Sequence, residues 1–180
     1  MLYIKNLEEI SLSEKQIANV LPNIKFIEYR NLLTYTLSDL LDFFKTGCIV
    51  RLEYYDAEGN IVGGHFSAIL LLGNTVCIFD SLNVINKNNI YNDQVIIDEK
   101  HYRHFYKLIN ELQTLGYTID LNKYQYQAHN SNIATCGRHC ALYLKMKLNT
   151  KDYHFFMLKL RNNFKTKDFD EIVTIATLLI

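Results

Sequence analysis

The sequence predicts an α+β fold in which a central mixed or antiparallel sheet packs against helices. Three strand-like runs near the middle of the chain, Cys48–Tyr55, Gly64–Leu72 and Thr75–Phe79, are separated by turn clusters and read as an antiparallel meander. Segments with helical apolar spacing flank that centre. One of them opens at Cys136 and Gly137, with Cys140, Ala141, Leu144 and Leu148 along one face. Hydrophobic residues make up 49% of the 180, with one proline and 7 glycines, which suits one folded domain over residues 1–180 and argues against disorder.

Each element has a local reason. Ser11-Leu12-Ser13-Glu14 reads as a capping box that opens a short helix through Val20, stopped near Pro22. Asn23 to Tyr29 reads as extended. A helix fits Leu37 to Lys45, with Thr36 as N-cap, Leu40, Leu41 and Phe44 on its apolar faces and Gly47 as its stop. In the meander, Asp56 to Asn60 is the first turn and Gly73-Asn74 a tighter second one. A polar, asparagine-rich loop follows from Asn83 to Asn92. Asp98 is placed to cap a helix from Glu99 to Leu115, with Tyr102, Phe105, Leu108, Ile109 and Leu112 facing inward, His101 and His104 at the surface, and Gly116 beyond its end. Tyr117–Asp120 and Tyr124–Gln127 alternate as short strands. After the helix that starts at Cys136, two more are expected, over about Asp152–Arg161 and Asp168–Leu179.

Totals narrow the function. Residues 1 to 10 carry Lys5, Glu8 and Glu9 and lack the apolar stretch of a signal peptide. No apolar run approaches the ~20 residues of a membrane span. A soluble intracellular protein with no membrane partner is the expectation. Cysteines 48, 77, 136 and 140 then stay reduced, and their spacing lacks the paired ligands of a zinc site; no metal and no cofactor are expected. Net charge is zero, with an acidic first half and a basic second half. The lysines and arginines from Lys145 to Lys167 read mainly as solvated helix faces, with nucleic acid as a lesser reading.

The chemistry-bearing residues are, in chain order, His65, Asp80, Gln127 and Cys136. A thiol in the first turn of a helix lies beside unpaired N–H groups and the positive end of the dipole, and both favour the thiolate. His65 opens the second strand of a hairpin whose third strand ends at Asp80, so the two should lie side by side. An aspartate in that place orients an imidazole and supports its charge. Gln127 can supply a side-chain N–H to an oxyanion, together with the amide of Cys136. Taken singly, each has a blander reading: a structural cysteine, a satisfied histidine, a turn-forming aspartate.

Gly63-Gly64-His65 on a strand, Phe79-Asp80-Ser81-Leu82 after it, and Gln127 with Asn130-Ser131 ahead of Cys136-Gly137-x-x-Cys140 resemble the adenovirus-type (adenain-like) maturation proteases, in the clan that includes the ubiquitin-like-protein proteases. The compact size is similar to relatives in virophages and Polinton-type elements. The likeness spans roughly residues 48 to 148. It implies a papain-related cysteine protease fold with Cys136 as nucleophile, His65 as general base, Asp80 as third member and Gln127 as oxyanion donor. It also implies cleavage of viral capsid or core precursors next to small residues, often glycine, in the host cytoplasm, a viral factory or the virion, with an activating peptide or DNA as further partners.

Three departures stand out. The family's histidine is usually followed by Trp, where this chain has Phe66 and no Trp anywhere. The family's Gln precedes the nucleophile by six or seven residues, and Gln127 stands nine before Cys136. Deleting two residues, such as Asn132-Ile133, restores the spacing, which predicts a bulge. His129 and, less strongly, Gln125 compete for the oxyanion role. Two other functions fit the same residues: an isopeptidase for ubiquitin-like proteins, and a non-catalytic scaffold or nucleic-acid-binding protein using the basic second half.

Overall fold

A computed structural model of the chain describes residues 2–55, 58–83, 85, 99–129, 133–166 and 168–179. Five strands form one mixed sheet in the order β1 (Lys25–Glu28), β2 (Cys48–Tyr55), β3 (Ile61–Leu72), β4 (Thr75–Asp80) and β5 (Thr118–Leu121). The expected meander is its centre, with β2–β3 and β3–β4 antiparallel. The two edges join in parallel, β1 on β2 and β5 on β4. The extended segment anticipated over Asn23–Tyr29 thus becomes a sheet edge, and the fold is α+β.

Helices cover both faces, as strand alternation requires of a sheet with two apolar sides. Val50, Leu52, Ile69 and Ile78 point to one core, packed by Leu40 and Phe44 of α3 (Leu37–Thr46) and by Phe105, Leu108 and Leu112 of α4 (Glu99–Thr114). Ile49, Ala68, Leu70 and Phe79 point to the other. That core is filled from α5 (Cys136–Met146), α6 (Thr150–Phe164) and α7 (Phe169–Leu178), with Ile17 of α2 (Glu14–Val20). Phe79 stacks on Tyr143 with ring centroids 4.5 Å apart and meets Tyr153 edge-on, so the aromatic-rich composition serves this layer.

Most local signals hold. Thr36 caps α3 in a box with Asp39, and Gly47 ends it at φ +100°. Four details differ. The N-cap of α2 is Ser13, boxed with Gln16, rather than Ser11, because the Glu expected as box partner is already the first helical residue. Tyr124–Gln127 forms no strand: Tyr126 and Gln127 both donate their N–H to Ser81 O, a crossing tie in place of a ladder. His104 is half-buried, stacked on Tyr29 at 5.0 Å. An additional helix, α1 (Leu2–Glu8), and a 3-10 turn (Tyr29–Thr34) were not anticipated. Most of the Asn83–Asn92 loop, the Asp98 cap, Asp56 and Ala57 of the first turn, and Asn130 to Asn132 lie outside the described residues, as do the side chains of His101 and Tyr102. Among the described residues no helix is long and apolar enough to cross a membrane.

Candidate active site

β3 outruns β4. The last pair between them is Ser67 with Asp80, so residues 61 to 66 project past the neighbouring strand. His65, two residues beyond Ser67, shares its face and meets Asp80 diagonally, with Nε2 at 2.6 Å from Oδ1. Phe66 lies between them in sequence, on the opposite face, and gives both main-chain groups to α5. Its N–H donates to the Cys136 sulfur, and its carbonyl accepts the Cys140 S–H at 3.3 Å. Cys140, fully buried, therefore ties the helix to the strand.

The strand's own sequence allows this approach. A Cβ on Gly64 would stand 2.7 Å from the Leu52 carbonyl oxygen, so no larger residue fits there without moving backbone. Gly137 is less crowded: the end of the Ile17 side chain would be 3.3 Å from its Cβ, and Leu12 O and the Phe66 ring each 3.4 Å.

Asp80 is held from several sides. Its Oδ1 also accepts the Leu82 N–H at 3.0 Å, and its Oδ2 accepts the Ile85 N–H at 3.2 Å. Asn122 clamps its main chain, accepting the Asp80 N–H at 2.7 Å and donating to the Asp80 carbonyl at 2.8 Å. Sequence reasoning missed Asn122, because nothing local links positions 42 apart. Its one cue is position, just beyond the strand that pairs with β4.

The electrostatics follow from burial and these contacts. His65 is 3% exposed and Asp80 1%. Burial alone would lower the His65 pKa; the charge and hydrogen bond of Asp80, aided by Cys136, outweigh it and push it up to about 10. Burial alone would raise the Cys136 thiol. The hydrogen bond and charge of His65, then the N–H groups of Phe66 and Gly137, overcome this and hold it below its ordinary value. The other three cysteines, chiefly through burial, are pushed up: Cys48, Cys77 to about 12, and Cys140 strongly. With Nε2 committed to Asp80, the remaining ring nitrogen of His65 faces the thiol. Both shifts favour the charged forms, thiolate and imidazolium.

His65 and Cys136 open onto a cleft of about 600 Å³. Phe66 and Gly64 line one wall, and Leu12 and Ser13, running in from α1, line the other. Farther along, Arg51 bridges Glu14 at 3.1 Å and Glu53 at 2.7 Å, giving that end mixed charge.

Gln127 is brought close by its neighbours. Its N–H and that of Tyr126 bind Ser81 O, next to Asp80. Ser81 Oγ donates to Gln127 Oε1 at 2.9 Å, which turns the amide nitrogen toward the loop ahead of Cys136, where it donates to Ile133 O at 3.2 Å. The bulge expected at Asn132-Ile133 falls in part outside the described residues. His129 is exposed, and the exposed Gln125 supports Gln127, donating to its carbonyl at 2.7 Å. Among the described residues no three His, Cys, Asp or Glu side chains converge as a metal site requires.

The chain matches no protein-family model, and no curated protein and no solved structure is significantly similar to it.

Proposed function

We propose that the chain is a cysteine endopeptidase with an adenain-like, papain-related fold, using Cys136 as nucleophile, His65 as general acid and base, Asp80 to hold His65, and Gln127 with the Cys136 amide as oxyanion donors. The observation that carries this reading is the state of His65. It is fixed by Asp80 at 2.6 Å and faces the one thiol of four whose pKa is lowered. A purely structural histidine has no need of a carboxylate on one nitrogen and a thiolate on the other.

The chemistry follows from the contacts. The Cys136 thiolate attacks the scissile carbonyl carbon, and the oxygen takes the negative charge, facing the Cys136 N–H and the second N–H of the Gln127 amide. Collapse breaks the C–N bond as the His65 imidazolium gives its proton to the departing amine, leaving a thioester. His65, now neutral, takes a proton from water as its oxygen attacks the thioester; collapse breaks the C–S bond, releases the carboxylic acid product and regenerates the thiolate–imidazolium pair. Asp80 supports the positive ring at each stage.

The resemblance points to viral capsid or core precursors as substrates, cleaved next to glycine during maturation in the infected cell or the virion. A fluorogenic peptide amide with Gly-Gly before the reporter should be turned over by the wild type and not by Cys136→Ala. Turnover of a ubiquitin-like precursor alone, with none of the peptide, would transfer the activity to the isopeptidase class.

A further inference from the structure

We propose that Asp170 is a positioning residue that sets both oxyanion donors, because its single carboxylate spans the two ends of the loop between Gln127 and Cys136. The inference rests on the peptidase reading and assigns the geometry of that same site to a residue on another helix.

Asp170 is the second residue of α7 and is 2% exposed. Its Oδ2 accepts the N–H of Ala128, the residue after Gln127, at 2.8 Å. Its Oδ1 accepts the hydroxyl of Thr135, the residue before Cys136, and faces His139 Nε2 at 3.2 Å. His139 is fully buried on α5, one turn after Cys136, so a second point of the nucleophile's helix, besides its N-cap Thr135, is tied to the same carboxylate.

Thr135 shows what the arrangement does. It is the N-cap of α5, where a threonine hydroxyl ordinarily accepts a hydrogen bond from an N–H of the first turn. Here it makes no capping bond. Its hydroxyl is turned to Asp170 as a donor, so the positive end of α5 is left for the groups that face the site: the Cys136 N–H and the Gly137 N–H beside the sulfur. At the other end of the loop, the Ala128 tie and the Ser81 tie together fix where the Gln127 amide hangs. A carboxylate suits this place because it accepts at both oxygens; an amide could keep the Ala128 bond only by turning its N–H to Thr135, whose hydroxyl would then have to accept rather than donate.

The test compares two reactions of one thiol. Alkylation of Cys136 by iodoacetamide needs the thiolate but no oxyanion hole, whereas amide cleavage needs both. Asp170→Asn is expected to lower kcat on the Gly-Gly peptide amide about tenfold to a hundredfold, the range for misplaced catalytic geometry, with KM and the pH profile of Cys136 alkylation unchanged. Thr135→Val should behave alike and Thr135→Ser should retain activity, which keeps the test open if Asp170→Asn does not fold. A kcat within twofold of an active wild type in both Asp170→Asn and Thr135→Val overturns the inference alone. So does a fall in alkylation parallel to that in kcat, which marks a merely structural residue. A wild type that alkylates but never cleaves the peptide removes the peptidase reading and the inference with it.

Discussion

His65 and Asp80 meet across the β3–β4 hairpin on a diagonal rather than face to face: Asp80 is paired with Ser67, and His65 Nε2 reaches it from two residues farther out at 2.6 Å. The offset puts the imidazole past the end of β4, where α5 arrives. A directly opposed pair would lie within the sheet, out of reach of Cys136.

Asp80→Asn keeps the shape and removes the charge. His65 has a folded-state pKa raised from 6.5 to about 10. The stability it contributes is therefore complete below pH 6.5 and lost as pH rises through about 10. Without the carboxylate, the alkaline limb of the pH–activity profile should move down by roughly 1–3 units, the usual effect of one close opposite charge. An unmoved limb would show that Asp80 does not support the imidazolium.

Gly64→Ala places a Cβ 2.7 Å from the Leu52 carbonyl. Neither partner can swing away, since both are backbone within paired strands. A loss of about 1–3 kcal/mol, the range for overpacking, is expected in denaturant unfolding. Peptidase activity should fall further than stability, because His65 is the next residue. A variant of wild-type stability and activity would contradict the close approach.

Glu8 ends α1 against α7. It is 4% exposed, and burial, then Asp168, Asp170 and Glu171, push its pKa up from 4.5 to about 7, with Lys5 opposing. For an acid with a raised folded-state pKa, the stabilising contribution is whole below pH 4.5 and disappears as pH climbs through 7. The wild type should therefore lose Tm between pH 5 and pH 8, and Glu8→Gln should lose less. Equal pH dependence in both proteins would rule this out.

How legible the chain was depends on distance. Gly73-Asn74, Gly47 and the Thr36 box act within a turn, so the meander and α3 can be read directly, and the Cys136 helix follows from its apolar period. Position also placed His65 beside Asp80, because one short hairpin joins them. What could not be read is non-local. The strand at Tyr117–Asp120 was legible, as β5, but not its parallel pairing with β4, and α1 is anchored where Glu8 O accepts the Ala134 N–H and Leu7 O the Arg138 side chain at 3.5 Å. Asn122 and Asp170 are polar residues whose partners come from other elements, and a lone Asn or Asp in sequence says nothing of whom it will hold. Tyr124–Gln127 misled for the same reason: its alternation mimics a strand, but its N–H groups go to Ser81.

The most direct test of Cys136 as an activated nucleophile is to label the protein with limiting iodoacetamide near pH 7 and read the four cysteines by mass spectrometry. Cys136, with its lowered pKa, should react about tenfold or more faster than Cys48, Cys77 and Cys140, and the preference should vanish in His65→Ala. Equal labelling of the four, or a preference for Cys136 that survives His65→Ala, would contradict it.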